Sequence, residues 1–394
     1  MTLRPHLAAL GLVAVAFAAL GPGAVGSGAT ESATAPHVVL PSKKPSAALV
    51  EQVQAYAKAQ VGPELPAIWI GVWDPKRGSY SYAYGTAAPG RAATVNDVWR
   101  IGSITKTFTA TVILQLVDQG KLTLADTVAD VDPALAKRFP PYAKVTIRQL
   151  LAMRSGIEDY LNGPKGIVGD ITARPRRTWT ADELIAAGIK AGVRPPGTTS
   201  YSTTNYIVLQ RIAEKITGSP LRTLIRTRVT APLGLRKTVL PRNDTTALSP
   251  PATRGRLNKD GVAEIRHDGG TGRVGQDTSS WSVSSGQGGG AMQSNLHELG
   301  VWAASDSGSV LLAKKTAAVR ARTTPLPPFG YGLGLMKLGP FVGHEGEWFG
   351  WEALALHDPK TDRTVVVAGN AAAIGVTLFD IAGGIYPDAS LPIG

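Results

Sequence analysis

The chain has 394 residues, enough for one large domain with an inserted subdomain or for two domains. Its 41 Lys and Arg against 29 Asp and Glu give a formal net charge of +12, scattered rather than gathered into one stripe, so nucleic acid is not an expected partner. The absence of cysteine excludes disulfides, a thiol nucleophile and thiolate metal sites.

In chain order, Arg4 and His6 precede an apolar run from Leu7 to Leu20, followed by GPGAVGSGA. This is the pattern of a secretory signal peptide over 1–26, and the run is shorter than the ~20 residues of a spanning helix. Residues 27–47, rich in Ser, Ala, Thr and Pro, read as a flexible linker. A helix is expected over 48–60, with Leu49, Val53 and Ala57 on one face. AIWIGVWD (67–74) reads as a buried strand that returns, through the PKRGS turn, along 80–84. WRIGSITKTFTATVILQLVDQG (99–120) reads as a buried strand end entering a long amphipathic helix, stopped by Gly120. Residues 122–131 read as a loop with a short strand or turn. Thr146 is the expected N-cap of a helix over 145–153, and 154–178 reads as loop. Thr180 caps a helix over 181–191, with Asp182 and Glu183 in its favourable first turn. Thr203 or Thr204 starts a helix ending at Gly218, and another runs over 220–228. Residues 241–290 show few helical patterns. A helix over 292–304, strands at 331–336, 350–356 and 363–369, and a helix from about 372 complete the pattern.

Strands lie at both ends of the sequence and helices in between. The fold class expected is α/β plus α: a mainly antiparallel sheet built from both chain ends (48–102 and 291–390) and flanked by helices, with a largely helical insertion over 121–290.

Two motif readings are rejected. GSITKT lacks the Gly-Lys pair of a phosphate loop, and His344-Glu345-Gly346-Glu347-Trp348 begins like a zinc HExxH but ends in Trp. No metal-ligand cluster and no cofactor are expected. Three elements remain: Ser103-Ile104-Thr105-Lys106 at a helix start, Tyr201-Ser202-Thr203 after a Pro-Gly turn, and His344-Glu345-Gly346 entering the last strands. Residues three apart share a helix face, so Ser103 and Lys106 would sit side by side, a serine next to an activating amine.

In order, separation and surrounding sequence, these elements resemble the serine penicillin-recognising enzymes. The likeness is to DD-carboxypeptidases of the class C type, class C β-lactamases and related esterases, over roughly residues 50–385. The resemblance implies a hydrolase domain over 48–390 and an acyl-serine mechanism. Ser103 would be the nucleophile, and Lys106, its pKa depressed by the helix N-terminus and a neighbouring hydroxyl, would take the proton. Tyr201 would share the base work and protonate the leaving group. The N–H groups of Ser103 and Glu347 would hold the oxyanion. Thr203, His344, Glu345, Gly346 and Glu347 would contact substrate, His344 by electrostatic positioning. The implied activity is that of a secreted D-alanyl-D-alanine carboxypeptidase on cell-wall peptides. The alternatives are esterase, amidase or β-lactamase activity, or a non-catalytic cell-wall-binding homologue. The expected partner is a small-molecule or peptide substrate such as a peptidoglycan stem peptide, the expected state a monomer without a stable membrane span after signal cleavage.

Two departures from the family pattern bear on substrate. Thr203 stands where Asn is common, and Glu345 where Thr is common, with Glu347 two residues on. Two carboxylates would repel a substrate carboxylate, and Arg or Lys from 254–273 are the candidates to offset them.

Overall fold

The computed structural model describes residues 38–391 apart from 162 and 164. The expected signal peptide and the first part of the expected linker lie outside the described residues. The strands at the sheet's centre are apolar without alternation and are covered on both faces. β1 (Ala67–Asp74) is buried at every position and turns back into β2 (Gly78–Ala88), with a short β3 (Arg91–Ala92) beside it. β4 (Val98–Arg100) pairs separately with β5 (Gln293–Asn295), which ties the two ends of the inserted region together. The later strands are β6 (Thr324–Leu326), β7 (Phe329–Tyr331), β8 (Met336–Leu338), β9 (Phe341–Trp348), β10 (Trp351–Asp358) and β11 (Arg363–Gly369). The large antiparallel sheet runs β3-β2-β1-β11-β10-β9-β8-β7-β6. β1 meets β11 in register from Ile68–Gly369 to Trp73–Thr364, so both chain ends build it.

Residues 38–46, expected as the end of a flexible linker, are instead laid along the β1–β2 hairpin. The Ser79 N–H donates to the Lys43 carbonyl and the Ser46 N–H to that of Arg77, each at 2.9 Å, and Leu40 is buried. The hairpin's unpaired backbone groups supply partners that composition does not reveal.

Helix α1 (Ala47–Gln60) starts at Ser46, whose hydroxyl accepts from the Leu49 N–H. Helix α2 (Thr105–Asp118) follows a single 3₁₀ turn, Gly102–Ile104, that carries Ser103. It is not amphipathic as expected: from Thr105 to Leu114 every residue is buried. Its threonines make this tolerable, because their hydroxyls find partners within the core. Thr107 accepts from the Trp302 indole N–H at 2.8 Å, Thr109 donates to the Gly288 carbonyl at 2.6 Å, and buried Arg320 donates to Thr111 Oγ1 at 3.1 Å.

Within the insertion, α3 (Ala181–Ala191) begins in a capping box of Thr180 and Glu183, and α4 (Thr204–Thr217) ends at left-handed Gly218. Three short helices occur where loop was expected. Val128–Val131 and Val168–Ala173 are single turns. α5 (Lys259–His267) is capped by Asn258 and anchored by Val262 and Ile265, a stripe too short to stand out in a glycine-rich sequence. The expected helix over 292–304 begins as β5 and becomes α6 (Leu296–Ala304), which packs on β1, β10 and β11. α7 (Gly375–Ile385) packs on β10 and β11 beside α1. The strand expected over 331–336 is instead a break between β7 and β8, the other two expected strands are β10 and β11, and the His344 motif lies within β9. Among the described residues no helix is long and apolar enough to cross a membrane.

Candidate active site

The turn carrying Ser103 is pinned on both sides. The Ile101 N–H donates to the Met292 carbonyl at 3.0 Å, and the Met292 N–H donates to Thr105 Oγ1 at 3.1 Å. On the other side the turn packs backbone-to-backbone on β9, through two glycines. Gly102 has φ +47°, and a Cβ there would lie 2.2 Å from the Glu347 carbonyl oxygen. A Cβ at Gly346 would lie 2.1 Å from the Ile101 carbonyl oxygen and 2.7 Å from the Ser103 nitrogen. Only residues without a Cβ allow this approach. The backbone N–H of Ser103, in the first turn of its helix, is left without an intrahelical partner.

Lys106 is fully buried. It donates to Ser103 Oγ at 2.9 Å and to the Gly289 carbonyl at 2.8 Å, and its Nζ lies 4.8 Å from the centre of the Tyr201 ring. Burial lowers its pKa to about 8, against the opposing pull of Asp159 and Glu345. Burial is therefore the cause of the depressed pKa, more than the helix terminus invoked from sequence. The Tyr201 hydroxyl is buried and closes no hydrogen bond of normal geometry, although Ser103 is near enough to counter part of its shift. Burial, with Glu345 adding to it, holds its pKa well above the usual 10.0, so the phenol keeps its proton at neutral pH.

The second motif is fastened to the loop before it. Ser202 Oγ and Thr204 Oγ1 both donate to the Glu158 carbonyl, at 3.2 and 2.7 Å, and between them Thr203 Oγ1 donates to Asp159 Oδ2 at 3.1 Å. Asp159 is buried, also accepts from the Leu161 N–H at 3.0 Å, and is pushed upward in pKa by burial against the pull of that N–H and of Lys106. His344 is buried too. Its Nδ1 bonds to the Glu345 carbonyl, an acceptor only, so Nδ1 carries the proton and Nε2 accepts from the Tyr331 hydroxyl at 3.0 Å. Burial and the Lys106 charge lower its pKa to about 3, leaving an uncharged imidazole.

A pocket of about 190 Å³ opens beside Ser103, with Tyr201 and Thr203 in its wall. Apolar contact comes from Leu161, Val168, Ile265, Trp348 and Phe349. Four carboxylates line it: Glu345 and Glu347 from β9, Glu264 from α5 and Asp268 just beyond α5. Burial raises the pKa of Glu345, with Glu264 adding to it against Lys106. Burial and the neighbouring Glu352, Glu264 and Glu345 hold Glu347 well above 4.5. Glu352, behind the strand, is raised to about 8 by burial and by Glu345.

The Beta-lactamase family model matches residues 53–376, most of the chain. The chain belongs to the beta-lactamase family. Over 157 residues this family member is 37% identical to penicillin-binding protein 4 of Amycolatopsis lactamdurans, covering 38% of each chain. Over 165 residues it is 28% identical to the D-alanyl-D-alanine-carboxypeptidase/endopeptidase AmpH of Escherichia coli (strain K12), covering 40% of each. The matched stretches span well under half the length of these curated relatives. Among solved structures, a D-stereospecific amidohydrolase from Streptomyces sp. superposes with a TM-score of 0.72 at 26% identity, over 85% of this chain and 98% of that one. D-amino acid amidase from Ochrobactrum anthropi SV3 has the same fold, with a TM-score of 0.71 at 20% identity over 86% and 98% of the two chains. The beta-lactamase fold of serine hydrolases expected from the three motifs is thus the fold observed.

In this beta-lactamase-family chain, the structure brings Ser103, Lys106, Tyr201, Thr203, Glu345 and Glu347 to one site. Gly346 and His344 are not among the residues lining the pocket: Gly346 serves the approach of β9 to the Ser103 turn, and His344 faces Tyr331 as a neutral ring. The segment 254–273, whose Arg and Lys were the candidates to offset the acids, does not bring a base to the pocket wall. That segment contributes Glu264 and Asp268 to the pocket and none of its arginines. Sequence reasoning missed Asp159, Glu264, Asp268 and the Gly289 carbonyl. Asp159 lies in the SGIEDY stretch that already matched the family, whereas the others depend on long-range folding.

Proposed function

We propose that this chain hydrolyses an amide, peptide or ester through an acyl-serine intermediate. The observation that supports the reading best is the buried Lys106 amine, 2.9 Å from Ser103 Oγ with a pKa of about 8. Neutral Lys106 takes the Ser103 proton as Oγ attacks the carbonyl carbon. The oxyanion is held by the backbone N–H groups of Ser103 and Glu347. The bond to the leaving amine or alcohol then breaks as Tyr201 passes a proton to it and takes the proton held by Lys106 in return, so that Lys106 is neutral again. Because its pKa lies above the working range, Tyr201 serves as donor, and the base work falls to Lys106. Water repeats the sequence on the acyl-serine, releases the acid and restores Ser103.

Amide hydrolysis is the reading favoured for substrate, supported by the likeness to the Streptomyces D-stereospecific amidohydrolase along the whole of that chain. A second reading, D-alanyl-D-alanine carboxypeptidase activity, is supported by the partial match to AmpH, but it places a substrate carboxylate against a pocket of four acids. Export from the cytoplasm is proposed from the N-terminal sequence pattern, and cell fractionation with N-terminal sequencing of the mature chain tests it.

The test of the reaction is labelling with a fluorophosphonate, followed by peptide mass spectrometry. One adduct is expected on Ser103 and none in Ser103→Ala. A folded protein that takes no label, and turns over no amino-acid amide, p-nitrophenyl ester, nitrocefin or diacyl-D-Ala-D-Ala peptide, refutes the hydrolase reading and favours a non-catalytic wall-binding homologue.

A further inference from the structure

We propose that the pocket beside Ser103 selects acyl donors with a protonated amine near the scissile carbonyl, as in an amino-acid amide or a peptide with a free N-terminus, and that Glu345, Glu347, Glu264 and Asp268 hold this ammonium. The inference builds on the acyl-serine reading above. Its first support is convergence: two carboxylates at i and i+2 of β9 meet two from the α5 segment across one small pocket that opens on the nucleophile. Among the described residues no Arg, Lys or His lines that pocket, in a chain whose net charge is +12. Lys106 does not fill the gap, because it is fully buried and its amine is committed to Ser103 and the Gly289 carbonyl.

The second support is what these groups lack. No donor within hydrogen-bond distance meets the Glu345 carboxylate among the described residues, and its nearest basic neighbour, His344 Nδ1 at 3.9 Å, belongs to an uncharged ring. The Tyr201 hydroxyl, in the same pocket wall, is buried and closes no hydrogen bond of normal geometry, with the Ser103 hydroxyl near it. Glu347 accepts from the Ala373 N–H at 3.3 Å and is hydrogen-bonded to Glu264, and Asp268 Oδ1 accepts from the Gly163 N–H at 2.9 Å and meets His267 Nδ1 at 3.0 Å, so among the described residues no Lys or Arg pairs with either carboxylate. Crowding and burial push the glutamates toward protonation when the pocket is empty, and an entering cation relieves that cost. A metal ion is the poorer fit, since among the described residues no three acid or histidine side chains are spaced to hold one. An ammonium needs no fixed coordination sphere and can be shared among carboxylates on opposite walls. An α-ammonium lies two bonds from the scissile carbonyl carbon, so a substrate seated for attack by Ser103 presents its charge inside this pocket.

The experiment compares D- and L-alanine p-nitroanilide with their N-acetyl counterparts at pH 7. A kcat/KM preference of about tenfold or more for the free amine is expected, in one enantiomer or both. Glu264→Gln, on a residue outside the proposed bond-making steps, should cut that preference severalfold. Glu345→Gln should cut it further. Equal or faster cleavage of the acetylated substrates by a protein that still labels at Ser103 overturns the amine subsite and leaves the hydrolase reading standing. So does an unaltered preference in both variants. Loss of labelling at Ser103 removes the hydrolase reading and this inference with it.

Discussion

Asp159→Asn should move the pH dependence of acylation to lower pH. In the proposed mechanism the rate requires neutral Lys106, whose pKa of about 8 leaves about one tenth of the amine unprotonated at pH 7 and about half at pH 8. In the wild type the acylation rate should therefore rise about tenfold from pH 7 to 9, with a midpoint near 8. Asp159 is one of two carboxylates that hold that midpoint up, working against the lowering by burial. Asn keeps the shape and an acceptor for Thr203 but removes the charge. A downward shift of about half a unit to one unit is expected for a buried neighbouring charge. At the larger value the neutral fraction at pH 7 grows from about one tenth to about one half, a roughly fivefold gain relative to the plateau. The assay is the stopped-flow burst of p-nitrophenol from an ester without a titrating amine. The readout is the midpoint rather than the plateau, because Thr203 and Asp159 also shape the pocket wall. A wild-type midpoint near 10, or one that Asp159→Asn leaves in place, refutes burial of an amine tuned by Asp159 as the source of activation.

Ser103→Ala and Lys106→Ala should each lower kcat by about 10³-fold or more while near-UV circular dichroism stays native, since both remove the nucleophile's proton transfer. Tyr201→Phe should slow amide cleavage by about 10²-fold or more but spare p-nitrophenyl esters, whose leaving group needs no proton; an equal loss on both substrates would contradict the donor role. In Gly346→Ala a methyl group would sit 2.1 Å from the Ile101 carbonyl oxygen, so the Ser103 turn must move. We expect about 1–3 kcal/mol of destabilisation in urea titration and a loss of about 10²-fold in kcat/KM. The Glu352 carboxyl, raised from 4.5 to about 8, keeps its proton in the fold while the unfolded chain gives it up. Its stabilising contribution is complete below pH 4.5 and is lost as pH rises toward 8, so the melting temperature should fall across that window, and less so in Glu352→Gln. Lys106 titrates above this window and does not mask the effect.

Local sequence carried the elements whose causes are local. Thr146 and Thr180 are capping-box residues in the fold because a hydroxyl three residues before Gln149 or Glu183 closes the same bonds in any context. β1 was legible because AIWIGVWD has no polar face to offer water. Ser103 and Lys106 were legible because a helical turn places i and i+3 together, and the order of the three motifs pointed to the family. What sequence by itself determined is the Ser103–Lys106 pair and the sheet built from both chain ends. The elements it missed have non-local causes. Residues 38–46 are ordered by a hairpin edge, α5 is held by two apolar side chains, and the all-round burial of α2 depends on Trp302 and Arg320 arriving from far along the chain. The electrostatics of the site follow the same division. The low pKa of Lys106 comes from complete burial, His344 is neutral because it is enclosed with Tyr331, and the acidic pocket exists because α5 sets Glu264 and Asp268 opposite Glu345 and Glu347. Only the tertiary structure decides these, because desolvation and the distance between charges belong to the packed chain and not to any segment of it.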